Sequence, residues 1–138
     1  MHEWSDFRFV QLADCQLGMQ HSNKRWEEEA KMLELAVSKI NQLKPAFACL
    51  CGDLVNAYPD DEPMQSRQFE AFEAATKALD PDIRLICCCG NHDIGNKPTP
   101  STIAKWKARF GQDFFSFWFG GVKFLVLNTS LYKDASAP

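Results

Sequence analysis

Apolar positions in this chain fall into short continuous runs separated by longer stretches with helical spacing. Residues 7–13, rich in apolar and β-favouring side chains, predict a first strand. Trp26, Ala30, Leu33, Val37 and Ile40 then step by three or four, one face of a helix starting near Asn23. Glu27, Glu28 and Glu29 stand at its N-terminal end, Lys39 and Lys44 near its C-terminal end, and Pro45 stops it. Residues 46–51 are apolar throughout, as befits a strand covered on both faces. After a polar loop at 58–63, a second helix is predicted over 65–79, with Phe69, Phe72 and Leu79 facing inward. A third strand follows at 84–89. Thr99-Pro100-Ser101 reads as a helix start, Ile103, Trp106 and Phe110 as the apolar stripe, and Gly111 as the stop. Apolar runs at 114–119 and 122–127 around Gly120-Gly121 predict a hairpin. The order β-α-β-α-β-α-β-β implies an α/β fold: crossovers, a mostly parallel sheet, then an antiparallel addition. The closing hairpin is apolar on both faces, and the polar tail at 133–138 offers it no obvious cover.

Composition narrows the function classes. With 138 residues the chain is of single-domain length, and 46% hydrophobic with 24% charged residues is ordinary globular material. A net charge of −3 provides no basic field for nucleic acid or an anionic membrane. No apolar run approaches the ~20 residues of a membrane-spanning helix. The acidic N-terminus argues against a cleaved secretory signal. Six cysteines lie where core residues belong, without C-x-x-C spacing. They read as reduced structural thiols in a cytoplasmic setting, with a redox or metal role as the alternative.

Each of the three predicted parallel strands ends in metal-friendly polar residues: Asp14-Cys15-Gln16, Gly52-Asp53-Leu54-Val55-Asn56 and Gly90-Asn91-His92-Asp93. Ligands of open α/β sheets bind outside the carboxyl ends of strands, so the three endings can converge. Asp14 and Gln16 can point from one turn to one place. The two oxygens of Asp53 can bridge two cations, and Asn91 adds a neutral oxygen. His92 would stand where a general acid stands, with Asp93 holding its other ring nitrogen. Taken singly, these residues are more often turn formers, caps or surface groups; together, ligation is the stronger reading. His21, Arg25 and Lys97 read as loop and surface residues, Tyr58 as shaping substrate entry or merely exposed, and Asn56 as a partner of the site's backbone.

These blocks resemble the calcineurin-like metallophosphoesterases, whose first three read D-x-H, G-D-x-x-N/D and G-N-H-D/E. Phe115-Ser116-Phe117-Trp118, Gly120-Gly121-Val122 and Gly95 resemble the solitary-domain subgroup of serine/threonine phosphoprotein phosphatases. The resemblance implies a β-sandwich flanked by helices and a phosphomonoesterase using two divalent cations (Mn, Mg, Fe, Zn or Ca). It implies that Asp53 bridges the metals, Asp14 serves the first, Asn91 the second, and His92 is the acid. A water held by the metals would be the nucleophile and a phosphorylated protein the substrate.

Two departures qualify it. Gln16 replaces the usual histidine, either ligating through its carboxamide oxygen or only supporting the site. That exchange favours oxygen-preferring cations over zinc or iron. The later blocks, an isolated histidine and G-H-x-H, are missing, since the only histidines are His2, His21 and His92. Asp14, Gln16, Asp53 and Asn91 would give about five bonds, against about six positions round each octahedral ion. The expectation is therefore one phosphoesterase domain over 1–138, incomplete at its C-terminus. The alternative is a non-catalytic interaction module, its hairpin covered by another chain.

Overall fold

A computed structural model describes residues 3–132; His2 and the polar tail after the hairpin lie outside them. Strands β1 (Val10–Leu12), β2 (Phe47–Cys51) and β3 (Arg84–Cys88) form one parallel sheet in the order β1-β2-β3. Val10 pairs with Ala48, and Ala48 with Leu85, so this row shares a face, with Leu12, Leu50 and Cys87 continuing it. Helices α1 (Glu27–Leu43) and α2 (Glu62–Thr76) cover that face. Leu33, Val37 and Ile40 are the buried stripe of α1, and Phe69, Phe72 and Ala75 the apolar stripe of α2. Helix α4 (Pro100–Phe110) adds Trp106 to the same core, and the four-residue α3 (Asn91–Ile94) adds Ile94.

The other face carries Phe47, Cys49, Ile86 and Cys88 and meets the antiparallel pair β4 (Phe115–Phe119) and β5 (Val122–Val126). These two strands form a separate sheet rather than extending the first, giving two layers with helices outside one of them. Gly120 (φ 53°) and Gly121 (φ 79°) make the two-residue turn, a backbone shape that side chains with a Cβ resist. Aromatic rings fill the space between the layers: Phe117 stacks on Phe124 at 5.0 Å and meets Phe47 edge-on at 5.3 Å. Phe7 joins from the segment before β1, 5.0 Å from Phe119. On the hairpin's outer face Trp118 and Leu125 are exposed.

Element ends differ from the sequence expectation for local reasons. Helix α1 starts at Glu27, not near Asn23, because Asn23 takes a left-handed φ of 65° and bonds back to Gly18. Helix α2 starts at Glu62, capped by Asp61, whose carboxylate accepts the Met64 N–H at 3.4 Å. The stretch after β3 winds into α3. Among the described residues no helix is long and apolar enough to cross a membrane.

Candidate functional site

The segments leaving β1 and β2 run side by side past the end of the sheet. Gly52 O accepts the Asp14 N–H at 3.3 Å, Asp53 O accepts that of Gln16 at 3.0 Å, and Leu54 O accepts that of Leu17 at 3.3 Å. This backbone zipper carries Asp14 and Gln16 alongside Asp53. The shape is strained: Asp14, Gln16 and Asp53 take left-handed φ values of 53°, 39° and 46°. Each such non-glycine residue costs about 1–3 kcal/mol and persists only where its surroundings over-determine it. The interstrand hydrogen bonds and the fully buried Leu17, Leu54 and Val55 behind them do so here.

The third strand end closes on the second. Asp53 Oδ1 accepts the His92 backbone N–H at 3.0 Å. Gly90 lies so close that a Cβ there would overlap the Asp53 carboxylate and amide. Asn91 donates through Nδ2 to Tyr58 OH and to Asn96 Oδ1, both at 3.4 Å. Its carbonyl Oδ1 is thus the atom suited to a cation. Asp14, Gln16, Asp53, Asn91 and His92 therefore share one end of the sheet. Their donors, two carboxylates and two carboxamides, suit oxygen-preferring divalent cations.

The His92 ring has three neighbours. Nδ1 lies 2.6 Å from Asn56 O, which fixes Nδ1–H as the donor. Nε2 lies 3.2 Å from Gln16 Nε2 and accepts from that amide. Tyr58 stacks on the ring at 4.1 Å. The expected contact from Asp93 to this ring is corrected. Asp93 is buried, and its two oxygens accept Gly90 N–H at 2.7 Å and Leu54 N–H at 3.0 Å. It ties the second and third loops together from beneath. Burial, with the Asp53 charge adding to it, pushes the Asp93 carboxyl up to about 7.

Three supports were not among the candidate residues. Gln68, fully buried, accepts Asn56 N–H at 3.1 Å and Ala57 N–H at 2.8 Å, and donates to Asn23 Oδ1 at 2.9 Å. Gln65 donates to the His92 carbonyl at 2.9 Å and to that of Ala57 at 3.1 Å. Asn23 also accepts from the Asn56 side chain at 2.7 Å, and Asn56 in turn accepts from Gln16 at 3.3 Å. The legible signal was two glutamines on the inward stripe of α2, beside Phe69 and Phe72. His21 and Arg25 face Glu28, at 3.6 Å and 3.4 Å, away from this network. Burial pushes the Cys15, Cys87 and Cys89 thiols up to about 12. Beside the site, Tyr58, Pro59, Asp60, Gly95, Asn96 and Lys97 line an open depression of about 630 Å³.

Comparisons with known proteins place the chain in a family. A bovine protein named serine/threonine-protein phosphatase CPPED1 is 44% identical over 97% of this chain and 46% of its own length. Its human counterpart is 41% identical over the same shares. The chain thus spans about half the length of the curated relatives it matches. A crystal structure of a dimetal phosphatase from Danio rerio shares the fold at a TM-score of 0.52. It is 18% identical, over 64% of this chain and 30% of that one. Residues 7–134 match the model of the calcineurin-like phosphoesterases, and this chain belongs to the calcineurin-like phosphoesterase family.

Proposed function

We propose that this chain carries the metal- and proton-handling centre of a phosphomonoesterase acting on phosphoserine or phosphothreonine in proteins. The grip of His92 N–H on the Asp53 carboxylate carries this reading, because it sets the general acid beside the bridging ligand. Asp14 and Gln16 would serve one cation, Asn91 the other, and Asp53 both. Divalent cations held there would supply positive charge against the phosphoryl oxygens and lower the pKa of water toward hydroxide. Manganese or magnesium suits an all-oxygen set better than zinc.

His92 handles the proton. With Nδ1–H committed to the Asn56 carbonyl, Nε2 is the atom that carries a proton to the departing alkoxide. Tyr58 holds the imidazole plane, and Gln16 meets Nε2 through its amide nitrogen, which leaves its oxygen for a cation. Asp93 acts as a positioning residue, fixing the loop that bears Asn91 and His92. Lys97 lines the neighbouring depression beside Tyr58.

The test is hydrolysis of p-nitrophenyl phosphate with added manganese. His92→Ala should lower kcat by ~10²–10⁴ while manganese still binds, and Asp53→Ala should abolish both activity and binding. Undiminished activity in both variants removes the reading. A second reading, a non-catalytic binding module, draws on the exposed outer hairpin face of Trp118 and Leu125. Two tight divalent sites in titration calorimetry argue against it.

A further inference from the structure

Three thiols gather on the sheet face opposite the helices, where no part of the proposed chemistry uses them. Cys49 and Cys51 alternate along β2, and Cys88 pairs with Cys51 across the parallel ladder, so all three project from one face. Cys49 Sγ lies 3.7 Å from Cys51 Sγ and 3.8 Å from Cys88 Sγ, and all three sulfurs fall within 4.8 Å of one another. All are reduced and half-buried. Among the described residues this is the one group of three histidine, cysteine or acidic donors so closely placed.

Both short spacings are within the range of an S–H···S hydrogen bond. Cys49 and Cys88 sit at the margin of the aromatic layer, while Cys51 lies outside that cluster. The other three cysteines are differently placed: Cys15, Cys87 and Cys89 belong to the core on the helical side. A tetrahedral zinc–thiolate centre, with Zn–S of about 2.3 Å, has S···S edges of about 3.8 Å. Two of the three edges already have that length, and closing the third needs at most about 1 Å of side-chain movement.

We propose that Cys49, Cys51 and Cys88 form a second cation site, selective for a thiophilic divalent d¹⁰ ion of the zinc class. Its donors are soft sulfurs, whereas the loop site offers only hard oxygens, so the two sites sort metals by chemistry. Three thiolates with a divalent ion leave a net charge of −1, and a monovalent ion would leave −2 at the edge of an apolar layer. The fourth position stays open to water or a small ligand. As each Sγ–metal bond forms, the thiol S–H bond breaks and its proton goes to solvent. The ion would brace β2 against β3 one residue before Gly52-Asp53, steadying the strand ends that carry the phosphatase site.

Cadmium is the probe, since cadmium–thiolate bonds absorb in the ultraviolet and oxygen ligands do not. The whole chain, kept reduced, is titrated with Cd(II) in an Asp53→Asn background, so the oxygen site cannot contribute. The expected result is one equivalent bound, with charge-transfer intensity equal to three Cd–S bonds. Cys49→Ser and Cys88→Ser should each cut intensity by about a third. Each should weaken binding by more than the roughly 10–100-fold that losing a supporting hydrogen bond costs. Cys87→Ser should leave both unchanged. Intensity that Cys49→Ser and Cys88→Ser leave unchanged, or that Cys87→Ser lowers, overturns the assignment, as does the absence of any band. If a serine variant fails to show a cooperative thermal transition, Cys51→Ser, at the open end of the cluster, replaces it with the same expected loss.

Discussion

Gly90 sets how closely the second and third strand ends approach. Its missing side chain leaves the space that the Asp53 carboxylate and amide occupy. Gly90→Ala should push Asp53 off the His92 N–H. The prediction is a loss of manganese affinity of at least about tenfold, together with a lower thermal midpoint, since the overlap includes the Asp53 backbone nitrogen. Calorimetric titration beside a melting curve checks it, and unchanged affinity would show that the close approach is incidental. The letters Gly-Asn-His-Asp named this position and its neighbours. They did not reveal that Asp93 faces two backbone N–H groups rather than the imidazole, since both contacts are hydrogen bonds of similar reach. Only the path of the second loop decides between them.

At the level of elements, α2 does more than cover the sheet. Its apolar stripe was legible from Phe69 and Phe72, but Gln65 and Gln68 sit on that stripe and turn it into a clamp for residues 56–57 and 92–93. Gln68→Leu keeps the bulk and removes the acceptor of the Ala57 N–H, while the Asn56 N–H keeps the Leu17 carbonyl at 3.0 Å. It should cost about 1–3 kcal/mol, the cost of one buried donor left unsatisfied. Urea denaturation reads that loss, and a fall in kcat without a change in the manganese requirement would place the damage at His92, whose Nδ1 rests on Asn56. Starts and ends of helices were the least legible part. Asn23 looked like the start of α1, yet its side-chain oxygen is drawn into the site by Gln68 and Asn56. A residue that can cap a helix can equally bond a distant loop, and tertiary contacts chose the second.

For the molecule as a whole, Asp113 joins the helical layer to the hairpin. Its carboxylate is almost fully buried, accepts from Asn128 after β5 at 2.9 Å, and lies 3.0 Å from the Lys107 ammonium of α4. Burial opposes its charge, but the Asn128 and Lys107 contacts outweigh that and hold the carboxyl below its usual range. A carboxyl depressed in the folded state contributes stability that is complete above its unfolded value of about 3.9, and is lost as pH falls through the folded one. The urea midpoint should therefore fall on acidification from about pH 6 to about pH 3 by more in the native chain than in Asp113→Asn. Equal slopes would remove this residue from the acid response.

Sequence by itself determined the alternation of strands and helices, the apolar stripes and the chemistry at each strand end. These follow from neighbours along the chain: side-chain periodicity, proline and glycine stops, and the residue types that end a strand. Tertiary structure decided the rest. The hairpin became its own layer because its inner rings found Phe47 and Ile86 across a gap. Asp93 turned to backbone amides, and three cysteines from two strands came to share one face. Each is a contact between segments far apart in the chain. Periodicity cannot rank such contacts, because their free energies depend on which surfaces meet.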